Sequence, residues 1–437
     1  MGHVDGKRLY RKLGRKIDGL PTRAPWNETF YEILKALYSE KEADVVVKMP
    51  YGVSDFDQIA HATKYEGSEL QGILESLCSK GLVMDFWIKG KYRYNPSPIL
   101  IGIFELTMMR TGQDVDFKRM AHLLHEYVHG ENGAFYAANA QGGGRVSLMR
   151  ALPHEQAMSP SEYMEVLDYE KATRIIESSN KFSIGICACR HEKLHVGEKT
   201  CDVPLEKCSS FGVAADHLIR NNMAKEASKS EMLENLAESI EMGLVLCADN
   251  VKRNVAFICH CCKDCCTALE GISKFGYPSL VVTSSFIAEN DPDKCLGCGK
   301  CAKACPIDAI QMVPIENPKT KKKKDPVIDT SICLGCGVCA LKCTEGAVGL
   351  VKREKRVLHP ETTFERVMLQ SLERGTVQNL IYKNPQSLTQ AFMRGFVGGF
   401  LRLPPVKAAL MSDLLRSSFL KAMAGKRSRR TEKRAAG

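Results

Sequence analysis

Apolar residues recur at helical spacing in NETFYEILKALYS (residues 27–39), which predicts an amphipathic helix. FDQIAHATKYEGSELQGILESLCSKGLV (56–83) reads as two helices joined by a turn, and LVMDFWIKGKYRYNPSP (82–98) as a β-hairpin turning at Lys89-Gly90. A helix is expected over 116–130, with Asp116 at its start and Gly130 at its end. Another is expected over 162–179, with Met164, Leu167, Ala172, Ile175 and Ile176 as its apolar side. A third is expected over 228–242, where Ser228 and Glu231 form a capping-box pattern and Gly243 a stop.

Two runs differ from these. KFSIGICACR (181–190) and NVAFICHCCK (254–263) are apolar stretches that lead into C-x-C and then a basic residue. They read as two buried strands with thiols at their C-terminal ends. With helices around them they predict a small α/β layer domain. Were the strands parallel neighbours, one sheet edge would gather Cys187, Cys189, Cys259 and Cys261, and such edges are where open α/β sheets bind ligands. Short strand-like pieces recur at 309–312 and 347–350. Near the end, AFMRGFVGGFLRLPPVKAALMSDLLRSSFLKAMAGKRSRR mixes Phe, Leu and Met with spaced Arg and Lys, and Pro404-Pro405 divides it into two helices.

Composition narrows the class. The chain has 437 residues, 44% of them hydrophobic, enough for ordinary globular cores. MGHVDGKRLYRKLGRK lacks the apolar centre of a signal peptide, and no apolar run reaches about 18 residues, so a cytoplasmic protein without a transmembrane helix is expected. The net charge is +10, but residues 351–437 carry +12 and the remainder −2, so the basic character belongs to the tail.

Cysteine changes the picture most. Of 19 cysteines, 18 lie between Cys187 and Cys343. In a reducing compartment such clustering points to metal ligands or redox groups rather than disulfides. Residues 295–305, CLGCGKCAKAC, and 333–343, CLGCGVCALKC, share the spacing C-x2-C-x2-C-x3-C, 38 positions apart. Gly297, Gly299, Gly335 and Gly337 let these loops fold tightly, with N–H groups free to face sulfur. The stretch from about 291 to 352 resembles the bacterial-type dicluster ferredoxin domain. That resemblance implies two [4Fe-4S] clusters, one on Cys295, Cys298, Cys301 and Cys343, the other on Cys333, Cys336, Cys339 and Cys305. Two departures, Thr344 where proline is common and the Lys-rich insert NPKTKKKKDP, touch no ligand. Zinc sites pair cysteines as C-x2-C and rarely add a third at the same step.

A second constellation precedes the ferredoxin-like stretch: Cys187, Cys189, Cys201, Cys208, Cys259, Cys261, Cys262, Cys265 and Cys266. So many reduced thiols would be an oxidation hazard if free. One or two further [4Fe-4S] clusters, or zinc, are expected on them. Adjacent strand residues face opposite ways, so the pairs Cys261-Cys262 and Cys265-Cys266 serve one site only if the backbone bends; otherwise they divide between two sites or some stay unliganded. His191, His195 and His260 are left out of the set, as is Cys247, which has no close cysteine neighbour in sequence.

The expected fold class is α+β and multidomain. Residues 1–110 resemble a winged-helix domain, 111–144 form a helical linker, 145–290 the cysteine-rich α/β domain, 291–352 the ferredoxin-like domain, and 353–437 a basic amphipathic helical tail. The helix expected to read DNA, 68–80, carries Glu69 and Glu75 and only one basic residue, Lys80, so a docking or structural role is favoured over DNA. His125-Glu126-x-x-His129 matches a zinc-peptidase pattern without a third ligand in view, and the polar face of an amphipathic helix accounts for it. Gly142-Gly143-Gly144 is not a dinucleotide fingerprint. The whole architecture looks like an electron-transfer subunit serving an oxidoreductase partner, with a peripheral membrane contact open to the basic tail. The rival is an iron–sulfur redox sensor that regulates transcription. A third reading, direct chemistry at the middle-domain site, needs an open coordination position.

Overall fold

The computed structural model describes residues 2–112, 115–130, 133–140, 146–159, 163, 166–276, 280–315, 322–354, 357, 359–412, 416–417, 419–421 and 423. Met164, Gly142-Gly143-Gly144, the first half of the Lys-rich insert and the basic end beyond 423 lie outside them.

The N-terminal region packs helices Gly2–Asp18, Glu28–Leu37, Glu40–Lys48, Phe56–Thr63 and Gly67–Ser79 against the hairpin of β1 (Val83–Ile88) and β2 (Lys91–Pro96). Side-chain caps explain where several helices begin. Asn27 accepts from the Phe30 N–H, and Ser39 with Glu42 and Asp55 with Gln58 form capping boxes. Helix Gly67–Ser79 buries Leu70, Leu74, Leu77 and Cys78, and Glu69 on its exposed side pairs with Lys41.

The centre is a seven-stranded sheet of β3 (Met149–Leu152), β4 (Phe182–Ile186), β5 (Glu206–Phe211), β6 (Ala224–Glu226), β7 (Val245–Asp249), β8 (Phe257–Cys261) and β9 (Val281–Val282), in the order β6-β4-β5-β8-β7-β3-β9. All neighbours run antiparallel except β3 and β9. This corrects the parallel-neighbour expectation. β4 and β8 do run the same way, but β5 lies between them and pairs with both. Its sequence, EKCSSF, is too polar to read as a buried strand. It is covered because sheet partners occupy both its edges.

Burial alternates across the sheet. Val245, Cys247 and Cys261 belong to one apolar cluster; Leu246, Ala248 and Ile258 belong to another on the opposite face, with Met232 and Leu236 of helix Lys229–Glu241 and Ile175 of helix Ala172–Glu177. The first cluster is continuous from Leu13 and Phe30 at the N-terminus to Val338 and Leu350. The expected 162–179 helix shortens to Ala172–Glu177. Leu167 and Lys171 are extended around a single turn, and buried Glu170 accepts the Ser285 N–H, which holds the chain out of helix.

The cysteine-run module has two antiparallel pairs, β10 (Phe286–Asn290) with β13 (Val348–Lys352) and β11 (Ile310–Pro314) with β12 (Lys324–Ile328). Because β10 is the partner of β13, the module begins at Phe286, ahead of the cysteine runs. The tail helices Thr363–Glu373, Val377–Ile381, Leu388–Leu401 and Pro404–Met411 pack on one another. They are also tied to the N-terminal helices, through Asn379 to the Gly19 carbonyl, and to the sheet, through Arg366 to Asp249.

Candidate metal centres

Each cysteine run is a loop followed by one short helix. Gly297, Gly299, Gly335 and Gly337 all have positive φ. At Gly335 a Cβ would lie 2.0 Å from the Phe286 carbonyl oxygen and 2.4 Å from Ser284 Oγ, so the close approach of the loop requires glycine. The Ala309 N–H donates to Cys305 Sγ at 3.2 Å and the Ala347 N–H to Cys343 Sγ at 3.3 Å, the same contact in each half. The Gly297 N–H donates to Cys295 Sγ at 3.4 Å. Such bonds suit an anionic sulfur cage.

The electrostatics group the thiols. Burial pushes Cys339 up to about 12, with Cys333, Cys305 and Cys301 adding, and it raises Cys336, with Cys339, Cys333 and Cys305 adding. Cys333, Cys336, Cys339 and Cys305 thus lie near one another, with Cys301 beside them. Cys301 is raised by burial, then by Cys295 and Cys298. Buried thiols with raised pKa values become ligands only when a metal supplies the compensating charge. Cys336 and Cys339 are buried, whereas Cys298 is exposed.

The sheet presents a second group. Cys247 is the direct cross-strand partner of Cys259, and Cys261 lies two residues on, so all three leave the sheet on one face. Their sulfurs interact in a chain that runs Cys187–Cys189–Cys266–Cys261–Cys247, with a branch Cys261–Cys259–Cys208. Cys187 is the N-cap of helix Ala188–His195 and Cys266 that of helix Thr267–Ser273, positions where the helix dipole favours negative charge. Sequence reasoning missed Cys247. The signal available was the period-2 pattern of VLCAD, which places Cys247 on the face opposite Leu246 and Ala248.

Cys201, Cys262 and Cys265 stand apart with Asp264, their ligand atoms all within 4.8 Å of one another. Cys201 Sγ is 3.7 Å from Cys262 Sγ and 3.7 Å from Cys265 Sγ. Of the two arrangements left open by the sequence, one site or two, the geometry is that of two groups, and the doublets 261-262 and 265-266 each split between them. Arg190 links the groups: its Nε donates to Cys262 Sγ at 3.3 Å, and Nη2 to the His260 carbonyl. A hydrogen bond with Cys265 holds the Cys262 thiol down, to about 6, against desolvation and with help from Arg190.

The histidines left out of the set make hydrogen bonds to groups other than these thiols. His260 Nε2 meets Ser209 Oγ at 2.9 Å on the other sheet face, and His191 Nδ1 bonds the Met108 carbonyl at 2.6 Å. His125 and His129 do meet a third group, buried Glu192, which the sequence pattern did not suggest. His125 Nδ1 lies 2.6 Å from Glu192 Oε1, a direct hydrogen bond, and His129 pairs with Glu270, which also pairs with Lys193. Glu126 is exposed. This is a buried charge network beneath the helices that start at Cys187 and Cys266, not peptidase geometry.

Residues 294–347 match the family of the 4Fe-4S dicluster domain. No curated protein matches the chain, and no solved structure does. Among the described residues no helix is long and apolar enough to cross a membrane.

Proposed function

We propose that this chain is an iron–sulfur electron-transfer subunit that relays single electrons between the thiol group on the central sheet and an oxidoreductase partner docked at Cys298. The observation that carries the reading is the seam between Cys336 and Cys247. The His154 N–H donates to the Cys336 carbonyl at 2.9 Å, and His154 Nε2 donates to the Leu244 carbonyl, one residue before β7, at 2.8 Å. Burial holds the His154 imidazole down, to about 4, so it is neutral and serves as a fixed strut. A hydrogen bond with Cys261 draws the Cys247 thiol down. Burial and the charges of Cys266, Cys259 and Cys336 outweigh it, which supports close approach of the two sulfur groups.

When bound, the clusters supply reversible one-electron transfer. The protein's own part is positioning. Ala309, Ala347 and Gly297 N–H groups stabilise negative sulfur, and Val338 and Leu350 keep the inner loop dry. At the outer end, Cys298 and Leu296 are exposed among exposed Lys294, Lys300, Lys303, Lys323 and Lys324. That surface favours an acidic redox partner.

The test is anaerobic iron and sulfide analysis with an EPR-monitored reductive titration of the full chain. The relay requires more than about eight irons, the content of two cubanes, and magnetic interaction between the ferredoxin signal and the sheet centre. Iron at that level with no paramagnet on the sheet would end the relay reading.

The tail adds a peripheral contact to the proposal. Leu388, Phe392, Phe396 and Phe400, at i, i+4, i+8 and i+12 of one helix, are 87%, 72%, 71% and 56% exposed. An apolar stripe on a basic tail suits an anionic membrane surface.

A further inference from the structure

The CHCCKDCC segment feeds two different kinds of site, and the distances separate them. With a zinc–sulfur bond of about 2.3 Å, tetrahedral geometry sets neighbouring sulfurs about 3.8 Å apart. The Cys201–Cys262 and Cys201–Cys265 separations are both 3.7 Å. In a cubane each thiolate takes a different iron corner, which spreads the sulfurs beyond contact. A disulfide would need sulfurs about 2 Å apart.

The surroundings fit a single ion rather than a cluster. Cys265 is fully buried and Cys262 nearly so, packed with Leu244 and Val203 in a small cluster apart from the main core. Asp264 Oδ2 lies 3.4 Å from Cys265 Sγ and accepts from Thr200 Oγ1 at 2.9 Å, so the carboxylate is held beside the thiols by a second chain segment. Three thiolates and a carboxylate carry four negative charges, which a divalent cation and the nearby Arg190 guanidinium reduce to one. The set also explains the doublets. As β8 ends, Cys261 faces the sheet group and Cys262 the opposite side. One turn later Cys265 joins Cys262, while Cys266 returns to Cys261 and caps its helix.

We propose that Cys201, Cys262, Cys265 and Asp264 form a mononuclear zinc-type site, redox-inert, that clamps the 198–206 loop to the exit of β8. Its task is mechanical: it fixes the backbone that presents Cys259, Cys261 and Cys266 to the redox group. The inference does not rest on the relay reading, because one is read in zinc and the other in iron.

The experiment is metal analysis of the full chain purified anaerobically, alongside the Cys262→Ser/Cys265→Ser double variant and the milder Asp264→Asn. One zinc per chain is expected in the parent, and none in the double variant. Asp264→Asn is expected to release zinc to a chromophoric chelator at least tenfold faster, with its iron content unchanged. Cobalt(II) in place of zinc is expected to give tetrahedral d–d bands and thiolate charge-transfer absorption. Should the double variant fail to fold, Asp264→Asn and the cobalt spectrum still decide. Absence of zinc from the parent, or Asp264→Asn losing iron instead of zinc, would overturn the assignment.

Discussion

Cys247 lies directly across from Cys259 in the β7–β8 ladder, and both thiols face the side of the sheet on which Cys336 approaches. Cys247 is fully buried. If it belongs to the redox group, Cys247→Ser should lower the iron bound beyond the ferredoxin pair and leave the remaining about eight irons in place. Cys78→Ser is the control, since Cys78 is buried in the N-terminal helices far from any other cysteine in sequence. Iron and sulfide assays on both variants check this; equal iron in Cys247→Ser and the parent would remove Cys247 from the site.

Much of this was legible beforehand, and the part that was not has a physical cause. The two cysteine runs were legible because their C-x2-C-x2-C-x3-C spacing is local, whereas the crossing of the fourth cysteine of each run to the other cluster is what the ferredoxin resemblance implies. The sheet group depends on strand order, which local pattern does not encode. The strand EKCSSF carries no apolar signal, so nothing in the sequence places β5 between β4 and β8. Cys247 has no cysteine neighbour in sequence, because its partners come from β8 and from the helix at Cys266. Helix ends were easier, as at Ser228 and Asp116, because capping is settled within four residues.

Gly335 tests the seam between module and sheet. An alanine there would suffer the left-handed backbone cost, about 1–2 kcal/mol, and would also collide with the Phe286 carbonyl. Gly335→Ala is expected to destabilise the holo-protein by about 3 kcal/mol or more. Gly67→Ala, at a similar φ but with open space around it, should show the backbone cost alone. Thermal unfolding followed at the iron–sulfur absorption compares them; equal losses would mean that the close approach carries no weight.

The lysines around Cys298 should govern which reductants reach the outer end. Lys300 and Lys303 are exposed there, and exposed charges act chiefly on encounter rates. Lys300→Glu/Lys303→Glu should slow reduction by anionic dithionite and speed reduction by reduced methyl viologen, a cation. Both effects should shrink at high salt. Stopped-flow bleaching in low and high salt reads this out; a change of the same sign for both reductants would place electron entry elsewhere.

The stripe on helix Leu388–Leu401 makes a sharper demand than the composition of the tail. Basic charge alone predicts binding to any anionic surface, lost in salt. Phe392 and Phe396 add an apolar contribution, which at full burial is about 1.5–3 kcal/mol per side chain. Phe392→Ser/Phe396→Ser should therefore weaken sedimentation with anionic vesicles by about ten- to a hundredfold, taking half burial of each ring, while the net charge stays the same. Neutral vesicles should bind the parent poorly, because the charge term brings the helix to the surface before the rings insert. Parent protein that fails to sediment with anionic vesicles would exclude the lipid contact. Binding that survives loss of both rings would reduce it to electrostatic attraction by the tail.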